Sequence, residues 1–195
     1  MSDSVREEKK RIRKAVSERL RSLPEAYRTA AGREICEQVL DSAEYRRARR
    51  VFPYIAMPTE PDTRRIIERA LADGKSVYVP KCISKTEMLA VRIHGMDALK
   101  PGAYGILEPQ DCSETIEPND LDLILVPCVS ASADGRRLGH GAGYYDRFLS
   151  GNAEKTICLC FRAALCDEIP MDENDVFMHR VIFDTAAVFP EEAEL

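Results

Sequence analysis

The sequence predicts an α/β domain in which a mainly parallel sheet lies between helical layers. Residues 121–126 and 156–161 are short, mainly apolar runs, the pattern of strands covered on both faces. Segments of strand character alternate with segments of helical period along the chain, as βαβ units require. A glycine-rich turn joins the 121–126 run to an aromatic segment of helical spacing, which is how such a sheet presents a binding loop.

Residues 4–22 read as a charged helix whose apolar positions are Val5, Ile12, Val16 and Leu20. That stripe is thin and predicts a helix lying on a surface rather than in a core. Lys9 and Arg13, four apart, project from one face. Ser22 and Glu25 form a capping-box pattern for a second helix to about residue 40, with Ala26, Ala31, Ile35 and Val39 as its core stripe. Residues 51–56 are the first strand, with Pro53 awkward inside it because proline lacks a ladder donor. The turn at 57–63 leads to a helix carrying Ile66, Ile67, Ala70 and Leu71, capped by Asp62 or Thr63 and stopped by Gly74. Residues 76–79 and 88–93 are further strands, and Lys81 and Arg92 beside them read as surface cations. After the 156–161 strand, where Cys158 and Cys160 share a side, a loop at 171–178 precedes a last strand at 181–183. Residues 190–195 read as a frayed tail. Neither repeat nor linker interrupts the chain, which predicts one domain, 1–195.

Its 195 residues are 31% charged and 45% hydrophobic, enough for a sizeable core. The net charge of −5 argues against nucleic acid as the main partner. No apolar run approaches the roughly 18 residues of a membrane helix. The charged N-terminus lacks a signal-peptide core, so a cytoplasmic protein is expected. The seven cysteines include no C-x-x-C pair and suggest neither a disulfide framework nor a zinc site. Cys128, Cys158 and Cys160 stand in apolar surroundings and read as inert core thiols.

The chemistry concentrates in residues 134–149. An Asp134-Gly135 turn is followed by Arg136, Arg137 and alternating glycines at 139, 141 and 143, then Tyr144, Tyr145, Asp146, Arg147 and Phe148. Glycines let a backbone approach an anion, successive N–H groups can form a nest, and a helix N-terminus favours negative charge. The arginines supply charge, and Asp146 an oxygen for the magnesium that accompanies a nucleoside triphosphate. The stretch matches neither the Rossmann nor the P-loop fingerprint. On these residues alone, phosphate or nucleotide binding stands beside a packing turn.

L-G-H-G-A-G-Y-Y-D-R-F-L, preceded by D-G-R-R, resembles the signature of the 5-formyltetrahydrofolate cyclo-ligases. K-K-R-I-R at 9–13 is similar to their N-terminal ATP-holding segment, M-x-x-E-x-D-T at 57–63 to their folate loop, and the G-I-x-E-P at 105–109 to an element of bacterial members. The resemblance implies a three-layer, Rossmann-like fold of the sugar-phosphate isomerase/CoA-transferase group. It also implies ATP-dependent conversion of 5-formyltetrahydrofolate to 5,10-methenyltetrahydrofolate. Carried over by position, it puts nucleotide on Lys9, Lys10, Arg11, Ile12, Arg13, Arg137, Leu138, Gly139, His140, Gly141, Ala142, Gly143, Tyr144 and Tyr145. Folate falls on Arg13, Ile55, Glu60, His140, Gly141, Ala142, Gly143 and Tyr144. Arg137 is the expected charge stabiliser, and Asp146 and Asp175 the expected magnesium ligands. Glu108 has no assigned role. One position departs from the pattern: many relatives carry glycine or lysine where Ala142 stands. A monomer acting on small molecules is expected; the alternatives are a non-catalytic nucleotide- or folate-binding relative and a ligase for another heterocycle.

Overall fold

The computed structural model describes residues 3–102 and 105–185; the 190–195 tail and Tyr104 lie outside them. A seven-stranded sheet organises the chain. Its strands are β1 (Arg50–Phe52), β2 (Ser76–Cys82), β3 (Met88–Ile93), β6 (Thr115–Ile116), β7 (Leu123–Pro127), β10 (Thr156–Cys160) and β11 (Arg180–Phe183). The spatial order is β11-β10-β7-β1-β2-β3-β6. The first five of these run parallel, while β3 pairs antiparallel with β2 and with β6. Two ribbons stand apart from the sheet: β4 (Leu99–Pro101) with β5 (Leu107–Pro109), and β8 (Ser130–Ala131) with β9 (Arg137–Leu138). The predicted α/β class with a mainly parallel sheet is what the chain adopts.

The apolar runs become its centre. Leu123, Ile124, Leu125, Val126 and residues 157–160 are buried, as expected of strands covered on both faces. Asp122 sets the start of β1 beside β7, its carboxylate accepting the backbone N–H groups of Arg49 (3.0 Å) and Arg50 (2.8 Å). Phe52 stacks on Phe148 with ring centroids 4.8 Å apart, so α5 (Tyr144–Phe148) covers the sheet next to β1.

Several local expectations change. The first strand stops at Phe52: Pro53 has no N–H to continue the ladder, and residues 54–56 leave the sheet to begin a loop. The Ser22–Glu25 capping box does not form. Ser22 turns its hydroxyl back onto the Arg19 carbonyl (2.8 Å) to close α1 (Asp3–Ser22), and Pro24 is the N-cap of α2 (Glu25–Asp41). After the short α3 (Ala43–Arg47) comes α4 (Arg64–Ala72); of the two caps proposed for it, Asp62 accepts from the Arg64 N–H (2.9 Å), whereas the Thr63 hydroxyl donates to the Tyr54 carbonyl. Nor does α1 merely lie on a surface. Lys9, Ile12, Val16 and Leu20 are all buried, and Arg19 donates to the Ala163 carbonyl (3.0 Å). A narrow stripe sufficed because the helix seats in a groove with polar partners on its flanks.

Candidate active site

Along the sheet the connections reverse at β1: β2 lies on one side of it and β7, β10 and β11 on the other. Loops leaving the carboxyl ends of β1 and β7 therefore diverge and leave a crevice, the usual ligand position in such sheets. A cleft of about 1200 Å³ opens there. Its walls include Ile55, Met57 and Glu60 after β1, residues 137–147 after β7, and residues 172–176 between β10 and β11, with α1 contributing Arg6, Lys9 and Arg13.

The β8–β9 ribbon delivers Arg137 to the cleft floor. Its guanidinium is buried (side chain 3% exposed) and donates to the Asp146 carboxylate (2.7 Å) and the Pro127 carbonyl (3.2 Å). Burial is the largest influence and opposes its charge, but Asp146, with Cys158 and Cys128 adding to it, leaves the pKa raised. Its Nε, also buried, finds no partner among the described residues. A Cβ on Gly139 would come within 2.6 Å of Arg137 Nη1, so glycine there leaves the guanidinium its place. Gly143 takes φ +70° as the N-cap of α5, a conformation costly for other residues. That helix has only five residues, so the helix-dipole contribution expected from sequence is small.

Glu60 is buried, and both of its oxygens are engaged: one with His140 Nε2 (3.0 Å), the other accepting the Met57 N–H (2.8 Å). His140 itself is about half exposed. Two residues 80 positions apart thus meet on one wall. Tyr145 lies over the Arg137 guanidinium (5.8 Å), and burial, with Glu60 adding to it, holds its hydroxyl in the protonated form. Tyr144 donates to the Ser84 carbonyl (2.7 Å), and Arg147 bridges the Thr86 and Ala142 carbonyls (both 2.7 Å), fastening the glycine loop to the 83–87 turn.

On the opposite wall Arg13 Nε donates to the Gly139 carbonyl (2.7 Å). Lys9, only 5% exposed, donates to Asp172 (2.6 Å) and to Asp175. The K-K-R-I-R segment therefore divides by helical phase. Lys9 and Arg13 face the cleft, Ile12 enters the core, and Lys10 and Arg11 are exposed and do not line it, Arg11 pairing with Glu8. Leu138, Gly139, His140, Gly141, Ala142 and Gly143 all border the cleft.

Asp172 was missed from sequence: D-x-x-D in a loop is an ordinary turn pattern, and nothing local announces a lysine 163 residues away. Glu108 also gains a place. Buried at the cleft edge, it accepts from Lys81 Nζ (3.0 Å) and the Cys82 N–H (3.2 Å), so Lys81 is not the free surface cation expected. Cys128, Cys158 and Cys160 are buried; the Cys158 thiol is pushed well above its usual pKa by its hydrogen bond with Cys128 and by burial, and the Cys128 thiol, although its Cys158 contact lowers it, is pushed up by Cys160 and by burial. Poor thiolates of this kind suit a core.

Among the described residues no group of three or more His, Cys, Asp or Glu side chains converges as a metal cage. The donor chemistry nevertheless suits magnesium arriving with a phosphate, because that ion takes one or two carboxylates and completes its shell with phosphate oxygens and water. Asp146 and Asp175 are hard oxygen donors, and each now carries a cationic side chain as a stand-in.

Comparison with known proteins gives the family. The chain is 34% identical over 164 residues to a probable 5-formyltetrahydrofolate cyclo-ligase of Caenorhabditis elegans, covering 77% of this chain and 80% of that one. It is 34% identical over 158 residues to a probable 5-formyltetrahydrofolate cyclo-ligase of Schizosaccharomyces pombe, covering 72% and 78%. The NMR structure of Aquifex aeolicus 5,10-methenyltetrahydrofolate synthetase superposes with a TM-score of 0.80 at 25% identity, over 96% of this chain and 99% of that one. The family model described as the 5-formyltetrahydrofolate cyclo-ligase family matches residues 5–184, a span that takes in Lys9, Glu60, Arg137, Asp146 and Asp175 together. A chain that matches this model from its first helix to its last strand, and folds like a solved synthetase, belongs to the 5-formyltetrahydrofolate cyclo-ligase family.

Proposed function

We propose that the chain is an ATP-dependent ligase that closes 5-formyltetrahydrofolate to 5,10-methenyltetrahydrofolate, releasing ADP and phosphate. Beyond family membership, one observation carries this reading. A single cleft joins a cation-rich wall (Lys9, Arg13, Arg137) to a buried carboxylate on an apolar loop (Glu60 beside Ile55 and Met57). The first suits a triphosphate; the second suits the amino-pyrimidine edge of a pterin, which donates paired hydrogen bonds.

The formyl oxygen is a poor leaving group, so it first takes the γ-phosphoryl group of ATP. Nitrogen-10 then attacks the formyl carbon and gives up its proton, the carbon–oxygen bond breaks, and phosphate leaves. Little covalent chemistry falls to the protein, whose work is positioning and charge stabilisation. In this reading Arg137, held by Asp146 and Pro127, presents a fixed positive charge to the transferred phosphoryl group. Arg13, anchored on the Gly139 carbonyl, keeps its terminal nitrogens for substrate anions. Gly139, Gly141 and Gly143 let backbone approach the phosphates, and Tyr144 and Tyr145 shape the space between the two substrates. Asp146 and Asp175 would hold magnesium, which neutralises phosphate charge. We assign no direct contact to Lys10, Arg11 or Ile12.

We further propose the three-layer, Rossmann-like arrangement of the sugar-phosphate isomerase/CoA-transferase group, and one domain spanning residues 1–195 that acts as a monomer in the cytoplasm. All seven cysteines are free, which supports a reducing compartment. Methenyl product formation, followed by absorbance with and without ATP, tests the function. ATP-dependent turnover is expected, and its absence under magnesium would leave a binding protein that has lost the reaction.

A further inference from the structure

Lys9 has an environment that a phosphate-binding lysine does not need. Its side chain is 6% exposed, and its ammonium lies between Asp172 and Asp175, side chains 11% and 14% exposed. The loop is shaped around that charge. Asp175 also accepts the Asp172 N–H (2.7 Å), and Asp172 the Asn174 N–H (3.0 Å), so both carboxylates are fixed before any ligand enters. Two carboxylates sharing one ammonium lie close enough to repel each other strongly without it, and removing one partner from a buried ion group leaves uncompensated charge. Arg13 is the other cation near Asp175, but its Nε is committed to the Gly139 carbonyl and it makes no ion pair there. A divalent cation would satisfy the same two carboxylates by the same electrostatics.

Resting on the proposed use of magnesium–ATP, we infer that Lys9 is an internal counter-ion that keeps divalent metal off the Asp172–Asp175 pair until a triphosphate arrives, with Asp172 a further carboxylate of that metal position. The triphosphate gives the ammonium a new anionic partner and frees the carboxylates for the metal. A lysine can make this exchange because its ammonium is a compact charge on a flexible stem. The helix need not move, since Ile12, Val16 and Leu20 stay in the core. Metal and nucleotide are thereby made to bind together.

The test is binding of free Mn²⁺, read from the electron paramagnetic resonance signal of the hydrated ion. Wild type, Lys9→Met, Lys9→Gln and the double variant Lys9→Met/Asp172→Asn are compared without nucleotide, their folding checked by circular dichroism. Wild type is expected to bind free Mn²⁺ weakly and, when a non-hydrolysable ATP analogue is added, to recruit it beyond the Mn²⁺ that the analogue alone binds in a protein-free control. Lys9→Met should bind free Mn²⁺ at least tenfold more tightly, and the added Asp172→Asn change should remove most of that gain. Lys9→Gln, which keeps a hydrogen-bond donor without charge, gives the same comparison should the methionine variant fail to fold. Folded Lys9 variants that bind free Mn²⁺ no better than wild type overturn the inference and make the cluster a simple tether of α1. Failure of the ATP analogue to recruit Mn²⁺ to wild type overturns instead the reading on which the inference rests.

Discussion

Two cation–carboxylate groups line the cleft, and they are built in opposite ways. Arg137 and Asp146 are nine residues apart and belong to one ribbon–loop–helix unit. Lys9 reaches Asp172 and Asp175 across 163 and 166 residues, so the group exists only once α1, the sheet and the 171–178 loop have all assembled. The chemistry differs in the same sense. Guanidinium is planar, permanently charged and here held from two sides, whereas ammonium is a point charge able to change partners. The nearby pair thus supplies a fixed charge, and the distant group a transferable one. Permanence in the cleft comes from local sequence, exchangeability from long-range folding.

Replacing Arg137 strikes the fixed charge and should have the largest effect. Arg137→Met removes the proposed phosphoryl stabiliser and leaves Asp146 facing an apolar floor. Turnover should fall by about 10²–10³-fold, the usual cost of one electrostatic donor to a transition state. Unfolding free energy should fall too, toward the low end of the ~3–5 kcal/mol typical of a broken buried pair, because Asp146 keeps some solvent contact. Arg137→Lys should not rescue turnover, since one ammonium cannot span both Asp146 and the Pro127 carbonyl in the same plane. Activity within threefold of wild type in either variant would reduce Arg137 to a structural role.

Asp146→Asn probes the same pair from its exposed side. The amide can still accept from Arg137, so the fold should hold, but a charged metal ligand is lost. Magnesium–ATP use should weaken by about 10–100-fold, a common cost of disturbing a metal's ligand shell. A rate titrated against magnesium at fixed ATP should show it, and an unchanged magnesium requirement would count against Asp146 as a ligand.

This contrast also marks what could be read from the sequence. The apolar runs at 121–126 and 156–161 gave the parallel sheet because a strand covered on both faces has no polar alternation to confuse. The glycine loop was legible because Arg137, Gly139, Gly143 and Asp146 are neighbours in sequence as well as in space. The first strand was overextended because Val51 to Ala56 keeps strand composition, while Pro53 has no N–H to continue its ladder. The Ser22–Glu25 box was misread because Ser22 had a competing use at the end of α1. Asp172 and the Glu60–His140 contact stayed invisible: each joins ordinary loop residues whose meeting depends on the order of strands in the sheet. The K-K-R-I-R motif was read as one block, yet helical phase sends Lys10 and Arg11 to solvent.

Glu60 tests whether the cleft divides by substrate. Each of its oxygens already takes one hydrogen bond, from His140 and from the Met57 N–H, which leaves each a further lone pair for a pterin donor. Glu60→Gln removes charge and half the acceptor capacity. The Michaelis constant for the folate should rise about tenfold, as expected for a lost charged hydrogen bond, and that for ATP should change less than twofold. Were the ATP constant to move instead, the assignment of the two walls would be reversed.

The smallest effect comes from acid and probes the Lys9 group. Asp172 is held below its ordinary carboxylate pKa, first by the Lys9 hydrogen bond and then by the Asn174 N–H. A lowered folded-state pKa means that the ionised aspartate stabilises the fold above its unfolded value of about 3.9, and that this stabilisation fades as pH falls through the lower folded value. Asp172→Asn should therefore cost about 1–2 kcal/mol near neutrality, a drop in Tm of about 2–8 °C for a chain of this size. The difference from wild type should stay constant from about pH 8 to pH 5 and shrink below about pH 4. Thermal melts of both proteins across that range give the curve directly. A gap between wild type and Asp172→Asn that survived unchanged at pH 3 would mean that the aspartate acts by its shape and its Asn174 contact, and the Lys9 group would then be no more exchangeable than the arginine pair.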